Sequence, residues 1–210
     1  VTLLDEHEDG RARRILVGIG GTATNDGGAG MAQALGVGLL AEDGSPIGRG
    51  GVALGRLVSI DLSGVDPRLE KTAVVVASDV TSPLTGPSGA SCVYGPQKGA
   101  SPAMVAELDH CLETYRQVIL RATGIDAQQV RGSGAAGGAG AALAVFCRAE
   151  MRLGIEVVLD AIGFDERLSH ADLVITGEGR LDDQTSSGKA MAGVKARAHA
   201  RGVPVAAIVG

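Results

Sequence analysis

Apolar residues gather in four short unbroken runs, at 15–19, 73–77, 173–176 and 203–209, each closing abruptly on small or polar residues. Unbroken apolar character over so few positions marks a strand covered on both faces, the habit of parallel sheets. Between these runs the spacing becomes helical. Over 101–123, Met104, Leu108, Leu112, Tyr115, Val118, Ile119 and Ala122 fall near one face. Ser101 offers an N-cap oxygen, Pro102 suits the first helical position, where its missing N–H costs nothing, and Gly124 can take the left-handed conformation that ends a helix. A helix of about six turns is predicted there. Further helices are expected over 139–153, 156–162 and 189–201, and a glycine-opened one over about 28–35. Apolar 37–40 and Ile47 flank Asp43-Gly44, which predicts a small hairpin. The alternation of strands and helices predicts an α/β fold.

No internal repeat or low-complexity linker divides the chain. Its character sharpens to strand, loop and helix after Asp165, which separates a central α/β region with Gly-rich loops, 1–165, from a strand-loop-helix-strand region, 166–210. The last strand ends the chain with no helix to cover it, and residues 1–4 read as the tail of a helix already under way. Both ends therefore read as truncations.

Composition narrows the function classes. Glycine, at 33 of 210 residues, follows no Gly-X-Y period, and a 45% apolar content excludes wholesale disorder, so the glycines belong to turns and close approaches. A net charge of -5, with two Phe, two Tyr, no Trp and no basic run, lacks the footprint that nucleic acid requires. The longest stretch without a charged or strongly polar residue, 134–147, is mostly Gly and Ala and is shorter than the roughly 18 apolar residues of a membrane span. Cys92, Cys111 and Cys147 are odd in number and far apart, suggesting neither a disulfide framework nor a thiolate zinc site, and point to the reducing cytoplasm.

Ligands of open α/β sheets collect beyond the carboxyl ends of the strands, so the loops there carry the candidate chemistry. After 15–19 comes Gly20-Gly21-Thr22-Ala23-Thr24-Asn25-Asp26-Gly27-Gly28, whose backbone N–H groups and following helix could cradle an anion; the plain alternative is a Gly-rich turn packed against a neighbour. The same loop parses as Gly18-x-Gly20-x-x-Ala23 with Glu42 downstream, a dinucleotide fingerprint. Against that parse, Asp26 stands where a pyrophosphate would sit, and Gly36 and Gly38 interrupt the next strand. After 73–77, Asp79 is placed to hold a cation or a hydroxyl, or to form an Asx turn. Lys98, in Gly95-Pro96-Gln97-Lys98-Gly99-Ala100, could meet an anion at the N-terminus of the long helix. After 173–176, Glu178, Arg180, Asp182, Asp183 and Lys189 combine carboxylates and cations beside several hydroxyls. Gly188-Lys189 is not a Walker A loop, because the earlier Gly and the following Ser or Thr are missing.

Taken in series, Gly18 to Gly30, Asp79-Val80-Thr81-Ser82-Pro83-Leu84, Gly95 to Ala100, Gly134-Ala135-Ala136-Gly137-Gly138 and Ile175 to Lys189 resemble bacterial type I glycerate kinase over essentially the whole chain. The resemblance implies a two-domain α/β protein, with a flavodoxin/Rossmann-like parallel sheet domain and an inserted α/β domain, here incomplete. It implies transfer of the γ-phosphoryl of ATP to D-glycerate with Mg²⁺, 2-phosphoglycerate being the favoured product. On this reading Gly20, Gly21, Thr22, Asn25, Asp26, Gly27, Gly28, Lys98, Gly137 and Gly138 bind the nucleotide or substrate anions. Asp79 and Glu178 support Mg²⁺, Asp182 accepts the hydroxyl proton, and Arg180 and Lys189 stabilise transferred charge. The chain departs from the family in lacking its N-terminal strand and in carrying Ser82 for a usual Asn. A nicotinamide-dependent oxidoreductase and a non-catalytic fragment of the kinase are the competing readings.

Overall fold

The computed structural model describes residues 13–178 and 188–210. The chain divides into two compact units, Val1–Met151 and Arg152–Gly210. The first unit contains, in order, β1 (Arg13–Gly18), α1 (Ala29–Ala34), β2 (Gly38–Leu40), β3 (Ser59–Asp61), β4 (Thr72–Ala77), α2 (Ala90–Tyr94), α3 (Pro102–Thr123) and α4 (Ala139–Phe146), and runs into β5 (Glu150–Arg152). The main sheet has the order β1-β4-β5. Strands β1 and β4 are parallel and in register from Arg13↔Thr72 to Gly18↔Ala77. Their carboxyl ends therefore lie side by side, and the Ile19 N–H donates to the Ala77 carbonyl (3.4 Å) as the two chains leave the sheet.

The long helix forms as its sequence predicts. Ser101 Oγ accepts from the Met104 N–H, Pro102 occupies the first position, and Gly124 closes the last turn at φ 74°. Its buried stripe is narrower than the spacing suggests: Cys111, Leu112, Tyr115, Val118 and Ile119 are buried, whereas Met104 is 49% exposed. These residues form one core with Leu39, Ile47, Leu54, Leu57, Ala141, Ala142, Val145 and Phe146. Each large apolar side chain removed from water contributes about 1.5–3 kcal/mol, so α3 is the spine of this unit.

Three elements differ from the sequence expectation. The helix predicted over 139–153 stops at Phe146, where the Cys147 and Ala149 N–H groups both turn back to the Leu143 carbonyl and Arg148 takes φ 50°. The alternation of 149–153 is then free to extend as β5. The small hairpin at Asp43-Gly44 forms, with Gly44 at φ 77°, the Ala41 N–H donating to the Ser45 carbonyl (2.8 Å), the Ile47 N–H to the Leu39 carbonyl (2.9 Å) and a bridge at Leu40↔Pro46, but β2 also pairs with β3 in antiparallel register, Leu39↔Ile60, a partner the sequence did not suggest. Cover on both faces holds for β4, whose Val74, Val75 and Val76 are buried, but not for β1, where Leu16 is 54% exposed.

A polar brace fixes the C-terminal half of α3. Arg116 donates twice to Glu113 (2.9 and 2.8 Å) and once to Asp126 (2.8 Å). The guanidinium holds the Glu113 carboxyl well below its usual range, at about 2. Because the folded state binds the proton less tightly than the unfolded state, the stabilisation is complete above about pH 4.5 and disappears as pH falls toward 2. Discounted for solvent screening, it is on the order of 1–2 kcal/mol. Glu113→Gln is expected to flatten the acid limb of the stability profile between pH 4.5 and 2, measured by urea midpoints at each pH.

The second unit contains α5 (Gly154–Ala161), α6 (Phe164–Leu168), β6 (Val174–Glu178), α7 (Gly188–Ala200) and β7 (Val205–Val209). Strands β6 and β7 pair in parallel from Val174↔Val205 to Glu178↔Val209. Leu168, Ala198 and Val203 form its small core, with Phe164, Ala171, Val174 and Val205 packed on it. Arg197 reaches Asp160 (2.6 Å) and Asp165 (2.9 Å) together. These contacts bind 152–165 to the C-terminal region, and a boundary at Asp165 would cut through α6. Ile175 and Ile208, at 64% and 67% exposure, leave one face of the two-stranded sheet uncovered, unlike the fully buried strands expected from the apolar runs.

Candidate functional site

The loops leaving β1 and β4 meet at the carboxyl edge of the main sheet. Gly20 and Gly21 open the first loop, and a Cβ at either would meet nothing within 4 Å. Thr22 and Lys98 are half-buried beside them. Lys98 ends a short turn, Pro96–Lys98, that Gly99 stops at φ 91°. From there its Nζ donates to the Thr24 carbonyl (2.5 Å) and lies 3.5 Å from Thr22 Oγ1. The sequence placed Lys98 at the N-terminus of α3, but Ser101 caps that helix and the lysine turns to the Gly-rich loop instead. Burial pushes the Lys98 ammonium down from its ordinary value, and the Asp26 carboxylate opposes that shift. Asn25 Nδ2 donates to the buried Ser91 hydroxyl (2.8 Å), tying the same loop to α2.

The far half of the loop is built differently from the expected anion cradle. Asp26 accepts from the Gly28 N–H (3.0 Å) and the Gly30 N–H (3.2 Å), so its own carboxylate occupies the start of α1. A helix terminus already capped by a carboxylate has little to offer a phosphate. Gly27 donates its N–H to the Gly137 carbonyl (2.9 Å) and has φ 66°, and a Cβ on it would overlap the Tyr115 ring at 2.6 Å. At Gly137, φ 69°, the Cβ would fall 2.7 Å from Asn25 Cα. Gly28 and Gly138 are buried in the same contact. Gly137 and Gly138 let their backbone approach that of Thr24, Asn25 and Gly27, while Gly27 makes room for the Tyr115 ring and Gly28 for Ala139 and Ala142. The open part of the cradle is Gly20 and Gly21 with Thr22 and Lys98.

Asp79 is exposed two residues beyond β4, and Ser78 Oγ accepts from the Val80 N–H (3.2 Å). The Ser82 carbonyl accepts from the Gly134 N–H (3.0 Å), and its hydroxyl lies 3.3 Å from Tyr94 Oη. Four of the sequence motifs therefore converge within the first unit. In the second unit, Glu178 ends β6 and Lys189 stands in the first turn of α7, while Arg180 and Asp182 lie outside the described residues. No three His, Cys, Asp or Glu side chains gather as a metal cage among the described residues.

The dinucleotide parse fails on geometry. Gly18 ends β1, but α1 does not begin until Ala29, and the second strand reached, β2, runs antiparallel to β3. Glu42 lies beyond β2 beside Asp43 and Arg56 on a groove of about 560 Å³, not at the end of a second parallel strand. That groove shares no residue with the converged loops. Sequence reasoning missed Ser91, Thr85 and Gln128, which anchor these loops: each is a polar residue in a short segment without periodicity, and their contacts cross 43 to 66 positions.

The comparisons with known proteins agree with the motifs. A model described as the glycerate kinase family matches residues 2–210. A glycerate kinase of Halalkalibacterium halodurans is 51% identical over 208 residues, covering 99% of this chain and 54% of its own length. The glycerate 2-kinase of Escherichia coli K12 is 52% identical over 199 residues, covering 95% of this chain and 52% of its own. A crystal structure of a proposed glycerate kinase 2 from Salmonella typhimurium LT2 matches with a TM-score of 0.84 at 52% identity, over 94% of this chain and 53% of that one. The chain thus spans about half the length of the relatives it matches.

Proposed function

The chain belongs to the glycerate kinase family, and from that membership we propose that the protein moves the γ-phosphoryl group of ATP to a hydroxyl of D-glycerate, with 2-phosphoglycerate as the favoured product. The observation that carries this reading to a site is the half-buried Lys98 ammonium, held against Thr22 and Thr24 beside the open Gly20-Gly21 turn. Phosphoryl transfer spreads negative charge over oxygens in line with attacker and leaving group, so it needs placed positive charge more than covalent chemistry. A lysine fixed by its own hydrogen bonds meets that need without reorganising as the charge develops.

In this reading the Gly20 and Gly21 N–H groups, Thr22 and Lys98 hold phosphate or carboxylate oxygens. Asn25 and Asp26 act one step back, through Ser91 and through the cap on α1, to keep the loop in place. Asp182 takes the proton of the attacking hydroxyl, and Arg180 and Lys189 balance the charge of the transferred group. Asp79, an exposed carboxylate at the sheet's carboxyl edge, fits the one or two carboxylate ligands with which Mg²⁺ is commonly held alongside phosphates. The cation would supply charge neutralisation across the phosphate oxygens.

Neither the oxidoreductase reading nor the non-catalytic fragment is supported by the relatives, and the loop geometry opposes the first. No helix among the described residues is long and apolar enough to cross a membrane. The free thiols of Cys92, Cys111 and Cys147 suit the cytoplasmic setting we propose. The test is ADP release from ATP by the natural full-length protein, with and without D-glycerate. Release that depends on D-glycerate is expected; release that ignores it, or saturable NAD(H) binding in its place, would overturn the proposal.

A further inference from the structure

The loop that follows β4 carries Asp79 and runs without regular structure to Gly89, yet it is held by side chains from elements remote in sequence. Leu84 is fully buried. At Thr85 the side-chain amide of Gln128 accepts from the backbone N–H (3.1 Å) and donates to the backbone carbonyl (3.1 Å), pairing with it as a neighbouring strand would. The buried Thr85 hydroxyl lies 3.1 Å from Glu113 Oε2 and 3.2 Å from Gln128 Oε1, so its single proton serves these two acceptors. Next to it, the Gly86 N–H donates to both oxygens of Asp109 (3.1 and 3.2 Å).

These contacts close on themselves. Glu113 is gripped by Arg116, Arg116 reaches Asp126, and Asp126 accepts from the Gln128 N–H (3.0 Å), which returns the path to Thr85. In such a ring each group is oriented by the next, and removing one member leaves buried partners unsatisfied. A short irregular loop needs no brace of this kind merely to cover a core, since Leu84 already anchors it.

We propose that Thr85, Gln128, Glu113 and Arg116 form a positioning ring that sets the height of the Asp79 loop over the carboxyl edge of the sheet, and thereby controls turnover. The inference rests on the phosphotransfer reading above. None of the four touches substrate; they act through the backbone of the loop.

In the full-length protein the isosteric Thr85→Val, which removes the hydroxyl, and Thr85→Ser, which keeps it and removes the methyl, separate positioning from bulk stability, because both leave the backbone groups that pair with Gln128. Thr85→Val is expected to lower kcat for D-glycerate phosphorylation at least fivefold with KM for glycerate within twofold. It is also expected to speed amide hydrogen exchange at Thr85 and Gly86 by tenfold or more while leaving α3 protected. Thr85→Ser, which keeps the hydroxyl, is expected to stay within twofold of wild type in both. Gln128→Ala should exceed Thr85→Val in both readouts. Faster exchange with unchanged kcat would reduce the ring to a structural brace and overturn the proposal, as would unchanged exchange. A wild-type protein that does not phosphorylate glycerate would remove the positioning role by a separate route, with the exchange data still deciding whether the ring holds the loop.

Discussion

Replacing Lys98 with Met lowers kcat/KM for D-glycerate phosphorylation by about 10²–10³, the range found when one preorganised donor to a developing anion is removed. The side chain is half-buried, with Thr22 and Thr24 as its hydrogen-bond partners. Met fills the same volume without the charge, so the thermal midpoint should move by only a few degrees. Lys98→Arg keeps the charge but not the single-point geometry, and should recover part of the loss. Steady-state kinetics with ATP held saturating check this. Activity of the Met variant within a few-fold of wild type would show that the lysine only ties down the Gly-rich loop.

A large loss of stability is expected at Gly137. With φ 69°, an alanine there meets left-handed strain, and its methyl would overlap Asn25 Cα at 2.7 Å as well as the Thr24 carbonyl. Both obstacles are backbone atoms of the loop bearing Thr22 and Asn25, so neither can swing aside as a side-chain tip would. Strain and overlap together should cost about 3–5 kcal/mol, a fall in midpoint of roughly 10 °C for a unit of this size. The neighbouring Ala136, left-handed already at φ 54°, provides the contrast: Ala136→Gly relieves strain without adding an atom, and should be neutral or stabilising. Circular dichroism melts of the two variants side by side measure the difference.

What the sequence disclosed depended on the range of the interaction. The caps and stripe of α3 are local, and Ser101, Pro102 and Gly124 do as their chemistry requires. The strands β1 and β4 were legible as short apolar runs, but which strand each pairs with, and that Leu16 stays 54% exposed, depend on neighbours remote in sequence. The end of α4 at Phe146 was not, since the turn-back of Cys147 and Ala149 onto Leu143 competes with a helical pattern that continues through 153. At the site, Thr22 and Lys98 were named from their loops, but that they meet is a contact across 76 positions. The glycines show the limit most plainly. Gly20 and Gly21 face open space while Gly27 faces the Tyr115 ring and Gly137 the Thr24–Asn25 backbone, and the same letter in the sequence marks both.

Phosphorylation of D-glycerate is the activity we propose for the full-length family member. Its most direct measurement is the ³¹P NMR spectrum of the full-length protein incubated with ATP, Mg²⁺ and D-glycerate. A new phosphomonoester resonance growing in step with ADP, coupled to the proton on carbon 2 of glycerate, is expected. ADP appearing with inorganic phosphate alone, or no turnover by a folded protein, would contradict it.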